Sequence, residues 1–99
     1  MTPEKLLKNA KRITRCNNKQ EADMLEELLT IFDHEARTVE ASREQIMRLT
    51  REHGVDNQAV LEWATQAIKS RSDKLAEICE VRARLRGHLA MYAAGGNVK

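Results

Sequence analysis

Proline and glycine are nearly missing from this chain. Pro3 is the only proline, and glycine occurs at Gly54, Gly87, Gly95 and Gly96 alone. Residues 4–53 and 55–86 therefore hold neither of the two residues that most strongly interrupt a helix. Aromatics are as scarce, with Phe32, Trp63 and Tyr92 each the sole example of its kind. Basic segments without interleaved aromatics do not form a base-stacking platform. No apolar run approaches the ~20 residues that span a bilayer. The stretch from Met1 to Leu7 has no apolar core of a secretory signal, so none is expected. Cys16 and Cys79 form no CxxC motif and fit a reducing cytoplasm, the expected location.

Motifs of catalysis are missing as well. There is no Gly-rich phosphate loop, no nucleophile elbow and no zinc-type Cys/His spacing. Asp33, His34 and Glu35 form a ligand-like triplet on paper. Consecutive helical residues point about 100° apart, however, so the three do not converge. His53 beside a turn suits a helix C-terminus, and His88 among arginines suits a surface. No catalytic residue, cofactor or metal is expected, and an enzyme is the least expected class.

The chain is rich in charge and in strong helix formers. Charged residues make up 32% of it, a composition that leans toward long helices. The central punctuation is His53-Gly54-Val55-Asp56-Asn57. Gly54 suits a helix C′ position and Asp56 an N-cap. The spacing predicts helices over Pro3 to about Cys16, about Lys19 to His53, and Asn57 to about Ala93. Asn17-Asn18 forms the first break, and Ala94 onward frays. Thr2 is the expected first N-cap, with Pro3 at the position where its missing N–H costs nothing.

Leu25, Phe32, Val39 and Ile46 recur every seven residues in the second helix. Leu28 and Leu49 take the companion slot, which Glu35 and Ser42 interrupt. In the third helix Leu61, Ala64, Ile68, Leu75, Ile78, Leu85, Leu89 and Tyr92 fill the two seam slots, with Arg71 and Arg82 as exceptions. A sustained seven-residue repeat favours a left-handed coiled-coil contact. The expected fold is all-α: a short N-terminal helix and two long helices in an antiparallel coiled-coil hairpin. It forms one helical interaction domain over residues 1–94 with a flexible tail over 95–99, and a homodimer is expected. Leu25, Phe32, Val39 and Ile46 are the expected partner interface, shared between hairpin and partner. Trp63, beside the seam, is either packing or a contact hot spot.

Charge is segregated along the chain. Residues 1–20 carry six bases against Glu4, residues 21–40 seven acids against Arg37, and residues 81–99 four bases and no acid. Lys8, Lys11, Arg15, Arg82 and Arg86 are the candidate contacts to phosphates or to an acidic partner. The acidic middle offers these bases partners within the protein itself.

The segment Lys5-Leu6-Leu7-Lys8-Asn9-Ala10-Lys11-Arg12-Ile13-Thr14-Arg15, with Leu25-Glu26-Glu27-Leu28-Leu29 after it, resembles the N-terminal oligomerisation region of H-NS-type bacterial nucleoid proteins. His53-Gly54-Val55-Asp56-Asn57 and the residues to Leu61 resemble the turn that opens that family's second dimerisation site. The family's aromatic, Gly-rich DNA-binding module has no counterpart here, since residues 71–93 continue as helix. The resemblance implies an oligomerisation part without a reader, able to join or antagonise assemblies of an H-NS-like regulator. The expected function is thus a helical module that binds a larger bacterial protein assembly. A small nucleic-acid-binding protein is the second class, and a phage-type inhibitor or secretion-system adaptor or chaperone the third. No membrane partner is expected.

Overall fold

The computed structural model describes residues 2–52 and 56–95. Within them the chain forms α1 (Pro3–Lys11), α2 (Lys19–Glu52) and α3 (Gln58–Gly95), with no strand among the described residues. The result is a rod of 65 × 20 × 17 Å with a radius of gyration of 18.0 Å. A compact domain of this length has a radius of about 13 Å.

Each helix start has a local cause. The Lys5 N–H donates to Thr2 Oγ1 at 3.3 Å, and Pro3 opens the helix behind this cap. At α2 the Glu21 N–H donates to Asn18 Oδ1 at 2.9 Å, while the Asn17 N–H donates to Glu21 Oε1 at 2.8 Å. This reciprocal pair resembles a capping box and makes Asn17-Asn18 the start of α2. At α3 the cap is Asn57, not the expected Asp56. Asn57 Oδ1 accepts from the N–H groups of Ala59 at 2.9 Å and Val60 at 3.3 Å. Asn and Asp cap about equally well, so propensity could not choose between adjacent candidates. Gly54 and His53 lie outside the described residues.

Two boundaries differ from expectation. The first helix stops at Lys11, capped by Arg12, rather than running to about Cys16. The adjacent β-branched Ile13 and Thr14 weaken the helix there. Ile13 instead lies over α2 beside Met24, Leu25 and Leu28, and the non-helical stretch turns the chain back into α2. At the other end, α3 continues through Gly95, past the expected end near Ala93, and residues 96–99 of the expected tail lie outside the described residues.

α2 and α3 run antiparallel. Asp33 meets Arg82 and Ser42 meets Arg71, so positions ascend on one helix as they descend on the other. Leu25, Phe32, Val39 and Ile46 are all buried, as are Ala64, Ile78 and Leu85 opposite. The seven-residue spacing of α2's buried positions is that of a coiled-coil seam. Two polar interruptions of that seam meet each other: Arg71 Nε donates to Ser42 Oγ at 2.8 Å and its Nη1 to the Ala67 carbonyl at 3.1 Å. α1 closes the end away from the turn. Its Leu7 and Ala10 join Leu25, Phe32, Val81 and Leu85 in one core cluster. Val81 stands outside the expected seam and is buried by this third helix.

Candidate interaction surface

α1 is held on one identifiable face of α3. Lys11 Nζ forms an ion pair with Glu77, and Lys74 Nζ lies 3.6 Å from Glu4 Oε1. This lays α1 along the face that carries Lys74, Glu77 and Val81. Stepping back by seven residues from Lys74 and Glu77 leads to Ala67 and Ser70, then to Val60 and Trp63. Helical periodicity keeps all of these on one side. On α2 the same side carries Thr38 and Ser42, which share a hollow with Ser70, Arg71 and Lys74. Leu49 follows seven residues after Ser42.

The hairpin thus presents one long groove on this side. Its turn-distal half is filled by α1 and the residues that follow it. Its turn-proximal half is bare among the described residues. There Trp63 is 61% exposed, Leu49 42% and Val60 41%. The half-buried Ala67 and exposed Ser70 continue the row toward α1. Neighbouring exposed apolar residues around a Trp are the usual anchors of a protein contact.

The sequence-predicted interface divides. Leu25, Phe32, Val39 and Ile46 are buried inside the chain's own hairpin and are not open to a partner. The correction has a plain cause: α3 and α1 together use up the α2 stripe that was expected to be shared. Trp63 remains at the surface. Leu49 was expected in the seam but is exposed, and Val60 drew no notice in the sequence. The missing signal was length, because nine helical residues in α1 cannot cover a hairpin of about 50 Å.

The basic candidates also divide. Arg82 Nη1 donates to Asp33 Oδ1 at 2.6 Å, and Arg86 Nη2 lies 3.6 Å from the same oxygen. Both arginines therefore meet the acidic stretch 21–40, as the charge pattern implied. Lys11 pairs with Glu77, which lies outside that stretch. Lys8 and Arg15 are exposed and form no ion pair among the described residues. Asp33 faces arginines, His34 is exposed and Glu35 half-buried, so the triplet does not converge. Among the described residues no group of three His, Cys, Asp or Glu side chains is placed to hold a metal ion. No helix among them is long and apolar enough to cross a membrane.

Comparison with protein-family models, with curated proteins and with solved structures finds no match. The resemblance to H-NS-type oligomerisation regions gains no support from these comparisons.

Proposed function

We propose that this chain is a non-enzymatic helical interaction module that binds another protein by helix-to-helix contact in the turn-proximal groove. The observation that carries this reading is the exposure of Trp63, Leu49 and Val60 in the same groove that α1 fills farther along. An amphipathic helix laid in such a groove is anchored at positions one turn apart. A larger bacterial assembly, with an H-NS-like regulator to be tried first, is the proposed setting. The free thiols of Cys16 and Cys79 suit its cytoplasm. A homodimer is part of the same proposal.

The test is a pull-down from bacterial lysate with mass spectrometry, run in parallel with wild-type and Trp63→Ala bait. A partner retained at moderate salt by the wild type and lost with the variant is the expected result. The competing reading is charge-driven binding of nucleic acid by Lys8, Arg15 and their neighbours. Its signature is affinity for duplex DNA that falls steeply with salt. Tight binding of that kind, unchanged by Trp63→Ala, would overturn the proposal.

A further inference from the structure

The bare row on α3 has a self-complementary pattern. Asp56 lies just before the helix, and Val60, Trp63, Ala67, Ser70 and Lys74 follow along one face. Asp56 and Lys74 each stand nine residues from Thr65, Val60 and Ser70 five, and Trp63 and Ala67 two. A two-fold axis crossing α3 at the level of Thr65 therefore brings Val60 opposite Ser70 and Trp63 opposite Ala67, and leaves Asp56, just ahead of the helix, near the level of Lys74. Two of the three pairings are complementary: Asp56 against Lys74 sets acid against base, and Trp63 against Ala67 sets the largest side chain against one of the smallest.

We infer that the occupant of the turn-proximal groove is a second copy of this chain, its α3 lying antiparallel to the first in the register Asp56–Lys74, Trp63–Ala67. The inference rests on the interaction reading above and names the partner. Isologous contacts of this kind are the commonest route to a dimer, because one surface serves both subunits. A parallel pair is disfavoured by the same residues, since it sets Lys74 against Lys74 and Asp56 against Asp56. Among the described residues Lys74 makes one ion pair, 3.6 Å to Glu4, with side chains 33% and 82% exposed respectively. A pair whose acid is so exposed is weak, and Lys74 can exchange it for another carboxylate.

Sedimentation of the whole 99-residue chain, followed together with the emission of its single tryptophan, tests this directly. The wild type dimerises, and Trp63 emission moves to shorter wavelength as concentration rises. Trp63→Ala weakens the dimer at least ~100-fold, because the axis uses the anchor twice. Asp56→Lys and Lys74→Glu each weaken it about ten-fold at low salt, again because each exposed pair occurs twice. Combining the two reversals restores affinity to within a few-fold of wild type. Circular dichroism confirms that each variant remains helical. A chain that stays monomeric at every concentration overturns the inference. So does a dimer indifferent to Trp63→Ala, and so does a double reversal no tighter than the singles. A monomer whose Trp63 face still captures a defined partner protein would remove this inference and leave the proposed function standing.

Discussion

Phe32 and Trp63 are both large aromatics on long helices, and the structure assigns them opposite jobs. Phe32 is 1% exposed and shares its core with Leu25, Ala36, Ile78 and Leu85. Truncation to alanine there removes the buried ring and leaves a cavity, at a cost of about 3–5 kcal/mol. A domain of this size is stable by about 5–15 kcal/mol, so the loss is a large share of the total. The low end of that cost moves the urea midpoint by about 1–3 M, given slopes of 1–3 kcal/mol/M. Trp63 is 61% exposed, and Trp63→Ala should change folding stability by no more than about 0.5 kcal/mol. The comparison has to be made at concentrations where the chain is monomeric, because the proposed dimer would add its own stability to the folded state. Urea unfolding followed by circular dichroism suits both variants, since the signal does not depend on the lost tryptophan. A Phe32→Ala cost below about 1 kcal/mol would refute the packing described for α2. A monomeric Trp63→Ala variant as unstable as Phe32→Ala would refute the bare groove.

The helix caps make a sharper local contrast. Asn57→Ala should cost about 1 kcal/mol of stability and Asp56→Ala almost nothing, read from urea midpoints of monomeric protein. Equal losses would mean that the α3 start is misassigned. Asn18→Ala should cost about the same as Asn57→Ala, because it removes the acceptor for the Glu21 N–H. Asp33→Asn should cost about 0.5–1 kcal/mol at low salt, a modest figure because the Asp33 side chain is 35% exposed. That loss should shrink in high salt as the Arg82 and Arg86 contacts are screened, and a loss that salt leaves unchanged would point to packing instead.

Much of the fold was legible because a seven-residue apolar repeat has few solutions in a chain almost free of proline and glycine. Leu25, Phe32, Val39 and Ile46 were read from spacing alone, and all four are buried. Spacing identifies a face without naming what covers it. The same four residues were therefore expected to meet a partner, whereas α3 and α1 already bury them. Val81 illustrates the converse. It lies beside the α3 seam, so periodicity passed over it, and only the placement of α1 explains its burial. The helix ends were less legible. Ile13 lies over α2 from a non-helical segment rather than from another helical turn, a tertiary preference that propensity does not carry. Asp56 and Asn57 are near-equal caps, and one residue of register separated the right one from the wrong one.

The position of the bare groove follows from how the short helix is tied down. α1 is anchored by Leu7 and Ala10 in the core and by the Lys11–Glu77 pair, and its connection to α2 keeps it at the turn-distal end. Three helices there enclose Phe32, Ile78, Val81 and Leu85 almost completely. Two helices alone enclose less, and the turn-proximal seam shows it. Leu61 and Ile68 are only half-buried, and Leu49 is open to solvent. Burial of apolar surface drives association as it drives folding, so the same shortage of a third helix that leaves this half loosely covered also supplies the attraction for one. The Ser42–Arg71 contact lies beside the boundary between the two halves. It satisfies the seam where α1 ends without extending the apolar groove. The apolar part of this half thus lies between the Ser42–Arg71 contact and Asp56. In the proposed dimer those polar flanks would limit sliding along the rod and favour one register.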